Sequence, residues 1–154
     1  MKAALEAARE SLASDDVPVG CVIVKGDRII GRGFNTRERD GSALGHAEIN
    51  AIAEACRTLG GWRLSGCTMY VTLEPCTMCA GAIVAAKLDR VVAGAKDPKA
   101  GALGSVLSLN SYPLNHKIQT DFGLCSTECS SLLTEFFSRR REENKRKSKS
   151  CSNK

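Results

Sequence analysis

Long apolar runs are missing from this sequence. The longest stretch without a charged residue, Ala100 to His116, is broken up by Gly, Ser and Asn, and falls short of the roughly 20 consecutive apolar residues that a membrane span needs. Lys2, Glu6, Arg9 and Glu10 leave no apolar core for a secretory signal in the first twelve residues. The expectation is a cytoplasmic protein with no membrane association. Histidine is scarce: His46 and His116 are the only two. No internal repeat is present.

Cysteine, by contrast, is plentiful, with eight in 154 residues. A disulfide framework is the usual reading in short, secreted, core-poor chains. Here 43% of the residues are hydrophobic, enough for one globular domain with its own core. The cysteines are therefore expected to be reduced, most of them acting as small buried hydrophobes. The net charge of +5 is concentrated at one end. Residues 139–154 hold eight Lys or Arg against Glu142 and Glu143, whereas residues 1–138 hold fourteen basic and fifteen acidic side chains. We expect a folded domain over 1–138 and a basic helix end and tail over 139–154. Such a tail can either track phosphates or serve as a solvated, solubilising end.

Ala4, Leu5, Ala8 and Leu12 recur at helical spacing, predicting an amphipathic helix over Met1 to Ala13. Cys21 to Val24 and Arg28 to Phe34 read as strands joined at Lys25-Gly26-Asp27 into a hairpin. Thr36 to Gly45, charged and without a period, reads as loop. Ile49, Ile52, Ala53 and Cys56 then place His46 in the first turn of a helix. Cys67 to Leu73 reads as a strand, Pro75 as a break, and Cys76 to Ala86 as a helix. Arg90 to Ala95 is apolar almost throughout, as suits a parallel strand buried on both faces. Ala100 to Asn115 is expected to be loop with one helical turn near Val106 to Leu109, followed by an edge strand over Lys117 to Asp121. A last helix from Leu124 carries Leu132, Leu133, Phe136 and Phe137 and is expected to fray into the basic tail. This order predicts a three-layer α/β/α domain around a mixed sheet of about five strands.

Two short segments carry chemistry, His46-Ala47-Glu48 and Pro75-Cys76-Thr77-Met78-Cys79. Alone, the first reads as readily as a helix cap, and the second as redox or metal chemistry. Together they offer imidazole and two thiolates. Zinc takes these ligands in a tetrahedron, and three protein ligands leave the fourth position to water, the mark of a catalytic site. Cys76 and Cys79 stand at i and i+3 in a helix's first turn, where the helix amino terminus favours thiolate. Glu48 is close to a ligand without being needed as one, and is placed to move protons. Cys125 and Cys129, at i and i+4, lack a further ligand at suitable spacing and are expected to be buried. His116 reads as a polar loop residue.

H-x-E followed by P-C-x-x-C is the signature of zinc nucleobase deaminases. TLEPCTMCAG over Thr72 to Gly81 and GAKDPKAGALGS over Gly94 to Ser105 further resemble bacterial tRNA adenosine deaminases of the TadA type. So do VPVG at Val17 to Gly20, Phe34-Asn35 and Gly61-Trp62-Arg63-Leu64, so that the resemblance runs nearly end to end. It implies a cytidine-deaminase-like fold, a homodimer, one zinc per subunit on His46, Cys76 and Cys79, and conversion of the wobble adenosine of a tRNA anticodon loop to inosine. It also implies that Glu48 protonates the ring nitrogen and then the departing ammonia. Asn35 and the Ala47 backbone would hold the flipped base, Val19 would line the pocket and Asp97 would lie near the ribose. Gly45 departs from the pattern, standing where related sequences often have a larger residue.

Two other readings share these residues. A deaminase of a free base or nucleoside, such as cytosine or guanine, would use the same His, Glu, Cys and Cys. The DPKAGALGS loop and Arg139 to Arg141, which could meet anticodon-stem phosphates, favour RNA. A non-catalytic zinc or RNA-binding subunit would have no need of Glu48, and a structural zinc would want a fourth protein ligand.

Overall fold

The computed structural model describes residues 1–151, with side chains described through Ser148. Its strands are β1 (Gly20–Lys25), β2 (Arg28–Phe34), β3 (Cys67–Leu73), β4 (Arg90–Ala95) and β5 (Gln119–Phe122). They form one sheet in the order β2-β1-β3-β4-β5. β1 runs antiparallel to both of its neighbours, while β3, β4 and β5 are parallel. β2 and β3 therefore point the same way on either side of β1, and their carboxyl ends share one edge of the sheet.

The helices are α1 (Lys2–Glu10), α2 (Arg37–Asp40), α3 (Ala47–Leu59), α4 (Thr77–Ala85) and α5 (Ser126–Cys151). Side-chain alternation along the strands sorts them into two layers. Cys21, Ile23, Met69, Val71, Val91 and Ala93 face α3 and α4 and form the main core with Ile83 and Leu88. Gly33 lies on this face because a Cβ there would run into the α3 backbone at Ala47 and Ala51. The opposite face holds a smaller cluster of Leu5, Ala95 and Cys129, which brings α1 and α5 together. A Cβ at Gly94 would strike the Cys129 sulfur, so glycine lets α5 settle directly on β4. The result is the expected three-layer α/β/α arrangement with a mixed five-stranded sheet.

Four local features differ from the sequence expectation. The segment 36–45 contains the one-turn helix α2, because the buried carboxylate of Asp16 accepts the N–H groups of Glu38 (2.7 Å) and Arg39 (3.2 Å) from across the chain. The helical turn expected near Val106 is a 3-10 turn at Leu109–Ser111. It is displaced because the Asn110 side chain bonds both the carbonyl and the N–H of Ile118 (2.7 and 3.0 Å), tying the loop to the start of β5. β5 itself pairs at Gln119–Phe122, slightly later than the alternation suggests. The last helix does not fray at the basic segment: α5 continues unbroken through Cys151. Arg139 and Arg140 both pair with Asp15, and Arg139 also pairs with Glu143 one turn on (3.7 Å).

Among the described residues no helix is long and apolar enough to cross a membrane. The seven cysteines whose side chains are described are free thiols.

Candidate active site

The segments that carry His46 and Cys76 have the same local construction. His46 (φ −93°, ψ 146°) and Cys76 (φ −73°, ψ 176°) are extended residues immediately before α3 and α4, each occupying the cap position of its helix. α3 follows β2 and α4 follows β3, so both helices begin at the shared sheet edge, outside the strands' carboxyl ends where α/β sheets place their sites. Gly45 makes the approach to His46 compact. Its carbonyl accepts the Thr36 N–H (2.8 Å), and a Cβ there would lie 2.9 Å from the Thr36 and Arg37 backbone. The departure at this position is thus a fit to this loop.

His46 Nδ1 lies 3.7 Å from Cys76 Sγ and 3.5 Å from Cys79 Sγ. A tetrahedral zinc with Zn–S near 2.3 Å and Zn–N near 2.0 Å separates an N and an S ligand by roughly 3.5 Å, so the three side chains fit the ion as they stand. Among the described residues no second group of His, Cys, Asp or Glu lies close enough to hold a metal. Cys129 is buried, as expected, whereas Cys125 is only partly buried and lies just before α5. The His116 ring nitrogen Nε2 sits 2.6 Å from the Leu88 carbonyl, which makes it a donor that braces a loop.

The three groups share protons among themselves, and a bound cation would displace those protons. Hydrogen bonds from Cys79 and His46 draw the Cys76 thiol down to about 3, so Cys76 is a thiolate. Cys79, whose proton is shared with Cys76 and which is also buried, is pushed up. His46 is raised, chiefly by its bond to Cys76. Glu48 is 4% exposed, and its burial lifts the carboxyl to about 7. A carboxyl in that range near neutral pH can both accept and return a proton.

These groups open into a pocket of about 830 Å³. Val19, Asn35, His46, Glu48, Cys76 and Asp97 all line it. Cys79, the third member of the His-Cys-Cys group, stands behind the wall and is fully buried. Ala47 is fully buried as well, and its N–H donates to Asn35 Oδ1 (3.0 Å), so this amide serves to orient the Asn35 side chain. The far wall comes from α5, through Leu133, Phe136, Phe137, Arg140, Arg141 and Asn144.

Two contributions escape the sequence reading. One is that α5 walls the pocket itself, with Phe136 and Phe137 packed edge to face (5.4 Å between centroids) and Arg139 and Arg140 over the Phe136 ring. The other is Glu74, a 2%-exposed carboxylate directly before Pro75. Burial alone would raise its pKa, but the Ser105 hydroxyl and the amides of Asp97, Ser105 and Leu103 outweigh burial and hold it below the ordinary range. An acidic residue at the end of an apolar strand, next to a metal-ligand turn, is the signal that could have found it.

Residues 1–95, which include His46, Glu48, Cys76 and Cys79, match the family described as the cytidine and deoxycytidylate deaminase zinc-binding region. The chain belongs to this family of zinc-dependent deaminases. The deaminase is 42% identical over 153 residues to a tRNA-specific adenosine deaminase of Bacillus subtilis, covering 99% of this chain and 95% of that one. Its fold matches a solved structure from a study of A-to-I editing by tRNA:A34 deaminases at the wobble position of transfer RNA. That match has a TM-score of 0.83 and 42% identity, over 86% of this chain and 97% of the other. It also resembles a guanine deaminase from Bacillus subtilis, at 40% identity and a TM-score of 0.59, over 62% of this chain and 61% of that one. The cofactor of the deaminase is zinc, and the His-Cys-Cys cluster is where the chain can hold it.

Proposed function

We propose that this deaminase hydrolyses adenosine at the wobble position of a tRNA anticodon loop, taking up water, leaving inosine in the RNA chain and releasing ammonia. The observation that carries this reading is the continuity of the pocket. A free base would need only the corner around His46, Glu48 and Asn35, yet the same cavity runs on to the aromatic and basic residues of α5. That shape suits a base extruded from a loop, with its neighbours and phosphates left outside the metal corner. The relatives point the same way: the tRNA-specific enzyme aligns at 42% identity over 99% of this chain, and the tRNA:A34 deaminase structure matches with a TM-score of 0.83 against 0.59 for the guanine deaminase from Bacillus subtilis.

Zinc held by His46, Cys76 and Cys79 supplies the activation of water for attack on the ring carbon bearing the amine. Glu48 would take the proton released by that water and deliver it to the adjacent ring nitrogen, then carry the second proton of the same oxygen to the departing amine, leaving the carbonyl of inosine and free ammonia. Asn35, fixed by the Ala47 N–H, presents its remaining amide hydrogens to the base, and Val19 packs against the ring. Asp97 lies on the pocket wall beside Lys96 and Lys99, within the segment that would meet the ribose. Arg141, Lys96 and Lys99 offer the positive charge that phosphates require.

We read residues 1–138 as the catalytic domain and 139–154 as a basic helix end and tail, working in the cytoplasm where tRNA and reduced thiols are met together. A homodimer is supported by α4, which has no charged residue over Thr77–Ala85 and leaves Thr77, Gly81 and Ala85 exposed beside the active site.

The test is to incubate zinc-loaded protein with an adenosine-containing anticodon stem-loop and, separately, with adenosine, cytidine and guanine, and to measure inosine and ammonia. Inosine from the stem-loop alone is the expected result. Ammonia from a free base or nucleoside, with the stem-loop untouched, would overturn the RNA assignment and leave a small-molecule deaminase.

A further inference from the structure

The turn that carries Cys76 and the loop that carries Asp97 are joined by a side chain to which the reaction gives no step. Glu74 follows β3, and its own N–H is donated to the Ala95 carbonyl at the end of β4 (2.8 Å). Its carboxylate is buried, and among the described residues no cationic side chain pairs with it. A buried carboxylate is costly unless hydrogen bonds satisfy it. Here every donor comes from one loop. Oε2 accepts the Asp97 N–H (3.1 Å) and the Ser105 hydroxyl, and Oε1 accepts the N–H groups of Leu103 (3.1 Å) and Ser105 (3.0 Å).

The loop is folded around that carboxylate. A Cβ at Gly101 would lie 2.5 Å from the Glu74 carboxyl group, so the loop approaches as closely as glycine allows. The Ala102 N–H donates to the Pro75 carbonyl (2.9 Å), and Gly101 forms an isolated bridge with Cys76. Within the loop, Asp97 Oδ1 accepts the N–H groups of Lys99 (2.9 Å) and Ala100 (3.2 Å). Asp97, Lys99 and Ala100 all face the pocket. A carboxylate can accept from all four donors because it has acceptors on both oxygens. A carboxamide has one acceptor oxygen, and its NH2 would be turned against a donor.

We infer that Glu74 is a positioning residue for substrate recognition, its carboxylate holding the 97–105 loop in the shape that presents Asp97, Lys99 and Ala100 to the bound nucleic acid. The effect belongs to recognition rather than to the chemical step, because His46, Cys76, Cys79 and Glu48 are placed by the starts of α3 and α4, and the backbone bonds that tie the loop to Pro75 and Cys76 do not involve the Glu74 carboxylate. The inference rests on the reading of the pocket as an RNA site.

The experiment compares Glu74→Gln with the unmodified protein, both zinc-loaded, by steady-state deamination of the adenosine-containing stem-loop and by amide hydrogen exchange without RNA. Glu74→Gln is expected to raise KM about tenfold while kcat changes less than about threefold, with one zinc per chain retained. The amides of Asp97, Leu103 and Ser105 should exchange faster. Ser105→Ala, which removes one of the four donors, is expected to shift KM the same way by about threefold. Gly101→Ala, which leaves Glu74 in place and crowds its carboxylate, should reproduce the KM effect, and these two variants decide the matter if Glu74→Gln does not fold. Unchanged KM with unchanged exchange, or a fall in kcat or zinc content with KM intact, would overturn the inference. If the unmodified protein does not act on the stem-loop, the RNA reading falls, and the exchange comparison still shows whether Glu74 holds the loop.

Discussion

The metal corner and the α5 wall face each other across one pocket, yet they are built in opposite ways. The corner is local: two helix caps, an i, i+3 cysteine pair and a glutamate two residues after His46, all within residues 46–79, with Glu48 and Cys79 buried and His46 and Cys76 half-buried. The α5 wall is distant in sequence and half exposed. Arg140, and Arg139 beside it, are held by Asp15, more than 120 residues away, and the wall's phenylalanines pack edge to face. Chemistry demands fixed geometry, which short spacings and helix starts supply. Recognition of a large, charged partner demands area and charge, which only the folded chain brings together. Changes at the corner should therefore act on turnover, and changes at the wall on binding.

The largest effect is expected from the metal. Chelation of zinc, or Cys79→Ala, should take turnover of the stem-loop below detection, with activity returning to the chelated protein when zinc is restored. Metal analysis should find one zinc per chain in the intact protein and none in the chelated form. A fully active metal-free protein would move the chemistry elsewhere. Next comes Glu48→Ala, which should lower kcat by about 10²- to 10⁴-fold while zinc content and the circular dichroism spectrum stay as they are. Turnover retained in that variant would remove Glu48 from the reaction.

On the other wall the expected effects are smaller and appear in binding. Deleting residues 139–154 removes eight basic side chains, so it should weaken stem-loop affinity and flatten its dependence on salt. For every phosphate that the shortened protein no longer neutralises, the slope should fall by about 0.7 to 0.9. Unchanged affinity and slope, measured by titration across several salt concentrations, would make this segment a solubilising end. The smallest change is expected from Asp15→Ala. It frees Arg139 and Arg140 from partners in ion pairs that are each more than a third exposed, so RNA binding at low salt should tighten by no more than about fivefold. Weaker binding would mean that the pairs present α5 in its working position.

What is legible in the sequence follows the same division. β2, β3 and β4 end where alternation and breaks indicate, and His46, Glu48, Cys76 and Cys79 stand together because their spacing already dictates where two helix starts put them. Asp97, Asn35 and Val19 reach the same pocket on family resemblance alone, since no local pattern near them points inward. The rest is hidden because its causes are remote. α2 forms under the Asp16 carboxylate, the 3-10 turn lies where Asn110 reaches Ile118, and α5 persists into a charged segment where Asp15 meets it. The partners of Glu74 are illegible for the same reason: its place at a strand end marks the residue, but shows nothing of the four donors that a distant loop delivers to it.

The division of labour across the pocket is tested most directly by a structure of the Glu48→Ala protein, loaded with zinc and bound to an adenosine-containing anticodon stem-loop. The prediction is an adenine turned out of the loop into the corner formed by His46, Cys76 and Asn35, with the RNA backbone running along Lys99 and Arg141 toward α5. An adenine still stacked in its loop, or an RNA backbone bound on another face of the protein, would contradict it.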